Sequence, residues 1–438
     1  MLPLYLLVCA YSFGLINLAP LLSLPTPFGD FNGNDILLLA LLVVSIPGYL
    51  QQRRILNSRS FRFLELAWLV FIMLLAVAAF RSPADSLRER LVNVRFVQDY
   101  LLFFPSIAVM TSKERVRKIA FVGVIFAVIG TGLTIAQSLH GLDNLFESPF
   151  YNIGAWGGNK IMVGGIARVN LPISNWIAFV LLAMLSLSLL RGQLWTLILS
   201  GFLSIAILVN FARSLWLGMA GGFAVEVVLL FSLGALLGPR LFRLLLVPLV
   251  LGLGFLAAPF VGLDGLTEAV QERLTEGLYF FSTSTGTWGG RLDVGAAAMD
   301  LWAREPWLGV GTAYYSVFGQ WIDLGLPALL VSVGIVGLIL ELVLFATCFF
   351  VGIQTLKRGV RYGIDALTIA GVVVPAELIL IIVYQAWIDP RAFSILAFAS
   401  ALAIAAPAIF PAGEESPELG KESPQSPLLR NKPVYANH

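Results

Sequence analysis

Charge is scarce in this chain. Of its 438 residues, 12% are Asp, Glu, Lys or Arg, about half the share usual in a soluble domain. The net charge of +2 is too small to point to nucleic acid. Histidine is rarer still. His140 and His438 are the only two, too few imidazoles for a zinc centre. Cys9 and Cys348 are the only cysteines, and both fall inside apolar runs. Neither a disulfide nor a thiolate metal site is expected, and no cofactor is implied. The opening residues MLPLYLLVCAYSFG have no basic n-region and no small-residue cleavage site. They read as a retained first span, not a signal peptide. Two-residue alternation is missing, which leaves helices as the only candidates for crossing lipid. An internal repeat is missing too, which weighs against an inverted-repeat transporter.

What the chain has instead is hydrophobicity: 58% of its residues, in recurring runs near the ~20 residues that a helix needs to cross the hydrocarbon. The expected fold is all-α, a polytopic membrane protein of about twelve spans. They are expected at 3–23, 34–50, 63–80, 96–111, 118–139, 170–190, 193–211, 214–237, 242–262, 327–353, 365–387 and 391–411. Residues 1–411 read as one transmembrane domain, and 412–438, rich in Pro, Ser and Glu, as a disordered cytoplasmic tail.

Lys and Arg divide unevenly between the two sets of loops. Fourteen fall on one side: Arg53, Arg54, Arg59, Arg62, Lys113, Arg115, Arg117, Lys118, Arg191, Arg240, Arg243, Lys357, Arg358 and Arg361. The positive-inside rule puts that side in the cytoplasm, with both termini. The other side has eleven cations, and ten are Arg. Arginine is a permanent, planar cation suited to phosphate and carboxylate, so its concentration where topology disfavours cations suggests an anionic ligand. Contact with outer-leaflet headgroups is the plainer reading, above all for Arg88, Arg90 and Arg95, which have Asp85 and Glu89 nearby. That outer side also has a Gly-rich loop, 140–168, and the longest loop, 263–326. The longer loop contains two helical segments, DGLTEAVQERLTEGLYFF and RLDVGAAAMDLWARE. In the second, Leu292, Ala296, Met299 and Ala303 are spaced to lay one face on the membrane surface.

Several residues carry chemical interest. Arg213 interrupts the near-continuous apolar stretch VNFARSLWLG, 209–218. A guanidinium cannot shed its proton to ease burial, so it is either a snorkelling residue at a helix end or a cation facing a cavity. Arg291 heads GGRLDVGAAAMDLWAREPWLGVG, 289–311, at a helix start where its charge opposes the dipole. Asp323 stands just outside DLGLPALLVSVGIVGLILEL, 323–342, whose helix start carries Gly334 and Gly337. It is either a solvated interfacial carboxylate or a proton acceptor. Glu226, Glu341 and Glu377 fall near the centres of expected spans, as a proton-coupled transporter would show. Hydrogen-bonded or protonated Glu between packed helices, with small residues such as GMAGG (218–222) nearby, is the plainer account. Trp288, Trp302, Trp307, Tyr314 and Tyr315 are placed to stack on sugars or to girdle the interface.

The order of these features resembles the O-antigen ligase and polymerase superfamily of bacterial envelope glycan assembly. The likeness covers about residues 165–345. It consists of Arg213-Ser214 at a span boundary, then Arg291 and Pro306-x-x-Gly309-x-Gly311 in an outer loop. Asp323 then lies eleven residues before Gly334-x-x-Gly337. The resemblance implies an inverting, metal-independent glycosyltransferase at the outer face of the inner membrane. Its donor is a glycan on undecaprenyl pyrophosphate. Its partners are the lipid bilayer and other polysaccharide assembly proteins, with no nucleic acid. Arg213 and Arg291 match the family's paired arginines and would hold the pyrophosphate. Arg168 is a third candidate, and Tyr314 joins them as a substrate-binding residue. The chain departs from the lipid A-core ligases, which have His-Asn where Asp323-Leu324 stands and a Glu where Ser332 stands. This favours a polymerase. A ligase and a glycolipid or small-anion transporter are the alternatives.

Overall fold

The computed structural model describes residues 1–16, 23–26, 29–82, 90, 95–141, 161–163, 166–168, 171–245, 252, 265–279, 287–312, 314, 318–319, 322, 325–384 and 389–411. The described chain is essentially all-α and multi-pass. Eight helices are long and apolar enough to cross a membrane. They are α2 (Gly33–Ile55), α3 (Arg59–Arg81), α5 (Lys113–His140), α6 (Ser174–Arg191), α8 (Arg213–Ser232), α11 (Gly325–Tyr362), α12 (Asp365–Tyr384) and α13 (Pro390–Ile409). Three shorter apolar helical segments occupy three more expected positions. They are α1 (Leu2–Ser12), the 3₁₀ helix Arg95–Leu102 running into α4 (Phe103–Val109), and α7 (Leu194–Val209). The span expected at 242–262 lies largely outside the described residues, as does the tail 412–438. The first span is shorter than its apolar run suggests: α1 ends at Ser12. An antiparallel hairpin, β1 (Ser23–Thr26) with β2 (Gly29–Asn32), precedes α2. A second hairpin, β3 (Ile161–Val163) with β4 (Ile166–Arg168), closes the Gly-rich loop. Outside the bundle lie α9 (Leu266–Tyr279) and α10 (Thr287–Trp302).

Helix α12 is the central strut, buried on nearly every side, with α11, α8, α6 and α13 around it. Small residues permit the approach. A Cβ on Gly222 would meet the Ala376 carbonyl at 3.0 Å, and one on Gly371 would meet the Leu356 amide nitrogen at 2.3 Å. Phe393 of α13 centres an aromatic core, stacked on Phe71 and Phe345 at 5.5 and 5.9 Å.

Polar contacts tie each end of the bundle. At one end Arg53 pairs with Glu65, Arg191 with Asp365, and Ser60 donates to Gln354. All fourteen cations assigned above to one side sit on the helix termini or connections of this end. At the opposite end Arg81 pairs with Glu305, Asn175 donates to Asp389, and Ser394 donates to the Ser12 carbonyl.

Helix α11 is broken at Gly334, whose φ of 66° and ψ of −165° no helix contains. The segment 306–311 fills the break. Ile335 and Val336 donate their amides to the Pro306 and Trp307 carbonyls at 2.9 and 3.1 Å, and Val310 donates to the Val331 carbonyl at 2.6 Å. The break therefore re-satisfies its freed backbone groups, as membrane-level irregularity must. A Cβ on Gly334 would lie 2.4 Å from the Trp307 carbonyl, and one on Gly309 2.5 Å from the Val331 oxygen. The Pro-x-x-Gly-x-Gly stretch and Gly334 thus form one backbone interlock. The Gly-rich helix start read at Gly334 and Gly337 is the break inside a helix that begins at Gly325.

Candidate functional site

The end opposite the fourteen cations gathers the candidates, and the α7–α8 corner is its best-defined part. Three residues, Asn210 to Ala212, join the two helices. Phe211 turns the chain with a φ of 51°, the one positive value on a non-glycine residue among those described. Such a conformation costs on the order of 1–3 kcal/mol, and burial of the ring offsets it. Phe211 is 2% exposed and packs with Val163 and Ile166 of the second hairpin and with Leu266, Ala269 and Val270 of α9. Two hydrogen bonds fix the corner: Asn210 Nδ2 donates to Ser174 Oγ at 2.9 Å, and Trp216 Nε1 to the Ile207 carbonyl at 2.7 Å.

This construction holds Arg213 as the first residue of α8, half-buried. The N-terminus of α8 receives no side-chain cap. It presents backbone N–H groups and a guanidinium together, and both favour an anion. Arg168 ends β4, its backbone paired with Ile161; its side chain lies outside the described residues. Helix α9 adds a cation that sequence reasoning counted only as a loop residue. Leu266, Ala269 and Val270 pack on Phe211, and Arg273 continues that same face one turn on, half-buried. The 3–4 spacing of these four residues was the available signal.

Arg291 lies in the second turn of α10; its side chain is outside the described residues. The helix is anchored at this same end. Ala298 and Leu301 pack with Ala328 and Val331 of α11, and Val294 and Trp302 flank them. Ala296 and Ala303, on the face expected to lie on the membrane, are exposed. The residues one position away pack on protein, because α10 leads straight into the interlock. Trp302 Nε1 donates to the Pro306 carbonyl at 3.0 Å. Topology thus brings Arg213, the Arg168 strand, Arg273 and the Arg291 helix to one end of the bundle.

Tyr314 is 2% exposed and belongs to the cluster between α10 and α11, its hydroxyl accepting from the Ile322 amide at 3.4 Å. Its ring is covered by protein, which leaves no face for a sugar. Asp323 lies outside the described residues. Ser332 is fully buried beside the break.

Beside the corner, an apolar groove of about 670 Å³ opens between α6, α7 and α8. Trp216 lines it near Arg213, and Met219, Phe223 and Val227 continue it along α8 away from the corner. A second polar constellation adjoins the corner through α6. Ser174 holds Asn210, and its neighbour Asn175 donates to Asp389 at 3.3 Å. Ser12 donates to Asp99 at 2.9 Å, and Gln98 to Asp35 at 2.8 Å. Sequence reasoning missed these carboxylates because each stands at a span boundary, where solvated charge is ordinary.

Glu226, Glu341 and Glu377 are at most 1% exposed. Ser186 neighbours Glu226 and Tyr100 neighbours Glu341. Among the described residues, neither carboxyl oxygen of Glu341 or Glu377 has a hydrogen-bond partner. Among the described residues no group of three His, Cys, Asp or Glu could hold a metal ion. Compared with models of known protein families and with curated protein sequences, the chain matches none.

Proposed function

We propose that the protein is a membrane glycosyltransferase of surface polysaccharide synthesis, similar to O-antigen polymerases. It moves glycan from undecaprenyl pyrophosphate to the hydroxyl of another glycan. One observation carries the reading. Arg213, at a helix N-terminus without a side-chain cap, lies one turn before Trp216, which lines an apolar groove, on the end to which α10 and α9 bring further arginines. A polyprenyl diphosphate has that shape: a dianionic head and a long apolar chain. The positive-inside rule, applied to the fourteen cations at the other end, supports an extracytoplasmic head at the bacterial inner membrane. The proposed topology has twelve spans with both termini in the cytoplasm.

In the proposed reaction, Arg213 and Arg291 grip the diphosphate. The acceptor oxygen attacks the anomeric carbon from the face opposite the diphosphate, and the bond from that carbon to the phosphate oxygen breaks. Its electron pair leaves on undecaprenyl pyrophosphate, stabilised by the two cations. The hydroxyl proton passes to Asp323. Configuration inverts, and no metal is required. Arg168 and Arg273 contribute positive potential.

The test is product analysis in cells carrying Arg213→Ala or Arg291→Ala. A lost polymerase leaves single repeat units on the carrier lipid. A lost ligase leaves long unattached polymer, and that outcome replaces the polymerase reading with the ligase one. Buried Glu341 and Glu377 favour a second reading, a transporter of glycolipid or small anions. If Gln at Glu226, Glu341 and Glu377 abolishes function while the two Ala substitutions do not, the transferase reading is wrong.

A further inference from the structure

The opposite, cationic end of the bundle contains two cavities that the transferase reading does not use. One, about 430 Å³, is a cleft between α3 and α11 lined by Phe63, Val343, Ala346, Phe350 and Val351, with Arg59 at its mouth. Phe63 and Phe350 are more than half exposed, so the cleft opens sideways to lipid. The other, about 380 Å³, is mixed, with Asn57, Ser58, Gln354 and Arg358 facing Ile55, Leu56, Ile404 and Pro407 in its wall. Ser60 and Val351 line both, so the two cavities are neighbours that share a wall. Ser60 donates to Gln354 at 2.9 Å where they meet. From Val343 to Val351 the apolar limb descends about 12 Å, most of one leaflet's hydrocarbon.

We infer that these neighbouring cavities bind an anionic phospholipid of the cationic-end leaflet. Its phosphate meets Arg59 and Arg358, its headgroup occupies the mixed limb, and one acyl chain fills the apolar limb. Charge argues for the anion. Neither arginine has an ion-pair partner among the described residues. Arg59 also begins α3, where a cation opposes the helix dipole and an anion relieves it. A zwitterionic headgroup would bring a further cation to two already present. A free phosphate would leave the apolar limb unfilled, so the lipid is the source of the anion.

Native mass spectrometry of the intact protein in detergent tests this, with phosphatidylglycerol and phosphatidylethanolamine of identical acyl chains as probes. The wild type retains phosphatidylglycerol preferentially. Arg59→Gln and Arg358→Gln each weaken that binding about fivefold, and the pair brings it to the phosphatidylethanolamine level. Arg59→Lys with Arg358→Lys keeps the charges and the preference. Ala346→Trp fills the apolar limb and weakens both lipids, and Arg115→Gln with Arg117→Gln, on the same end but outside both cavities, changes neither. Thermal unfolding in lipid-free detergent confirms that each variant is folded. The inference is overturned if the double Gln variant keeps the wild-type preference, if the Arg115 and Arg117 control loses it equally, or if glycerol 3-phosphate competes as well as the lipid.

Discussion

Replacing Gly334 by Ala strikes at the joint between the membrane bundle and the helix that carries Arg291. The added Cβ would lie 2.4 Å from the Trp307 carbonyl carbon and oxygen and 2.6 Å from the Gly309 nitrogen, distances that no relaxed structure tolerates. The backbone adds a second objection, because φ 66° with ψ −165° is a region essentially reserved for glycine, worth about 2 kcal/mol of strain for alanine. Relief requires that 306–311 withdraw. Three interlock hydrogen bonds, donated by Val310, Ile335 and Val336, then break, at about 1 kcal/mol each. Those bonds oppose withdrawal, so the shift against docking is the strain of about 2 kcal/mol with the methyl's overlap added to it. Helix α11 need not unfold, since alanine favours a continuous helix by about 1 kcal/mol over glycine, and Ile335 and Val336 can bond within it. Hydrogen exchange by mass spectrometry separates these outcomes. With the strain and the helix preference together worth about 3 kcal/mol, the Val310 amide should exchange at least about a hundredfold faster, and peptides of α10 should lose protection with it. Those from α12 and α13 should change little, and the proposed glycosyl transfer should fall. Unchanged exchange in 306–311 would refute the interlock. Equal loss of protection in α12 and α13 would show that the break is integral to the bundle, not a local dock. Gly132→Ala, with nothing within 4 Å of its new methyl, serves as the neutral control.

The remaining predictions concern the corner and the groove. Arg213→Ala should lower turnover about a hundredfold or more, and Arg213→Lys should restore only part, because an ammonium cannot make the bidentate contact; repeat-unit incorporation reads both. Phe211→Ala should cost about 3 kcal/mol through the emptied cluster, and loosen α9 in limited proteolysis before the bundle unfolds. Ala224→Trp, in the groove wall, should raise KM for a long-chain polyprenyl donor while sparing a short-chain analogue, and equal effects on the two would remove the groove from donor binding. Glu226→Gln, Glu341→Gln and Glu377→Gln should leave transfer rates within about threefold, because a neutral amide replaces a group surrounded by protein at the same volume; loss of transfer in any of them would support the relay reading.

How much was legible in the sequence depended on the kind of signal. Apolar runs near twenty residues located the long helices, since bilayer thickness sets the minimum length, but not all their ends: the span expected at 327–353 is part of a helix that runs to Tyr362. The division of Lys and Arg sorted the helix termini into two ends because each charged loop marks where a span stops. Residues 3–23 misled because apolar composition does not distinguish a span from a short helix followed by a hairpin; Pro20, Pro25 and Pro27 were the counter-signal. In α10 the helix was legible but its buried face was not. Small residues at 295–298 leave the apolar stripe undefined, and packing on Ala328 and Val331 selected it. Tyr314 looked like a sugar platform because aromatic type says nothing about exposure. The glycines of 309–311 and 334 were visible as a pattern, but their reason, two backbones meeting inside a membrane helix, exists only in three dimensions. Arg273 was readable in principle from its position on the apolar face of α9, and was passed over because its neighbours Glu272 and Glu276 make the segment look like a solvated helix.

Binding of a polyprenyl diphosphate to the intact protein, measured by titration for wild type, Arg213→Ala, Arg291→Ala and the double variant, tests the central claim most directly. If the two guanidinium groups share one diphosphate, each single change weakens binding at least tenfold, the monophosphate binds less tightly than the diphosphate, and the double variant loses less than the product of the single losses. Independent, multiplicative losses, or diphosphate binding that neither change disturbs, would contradict it.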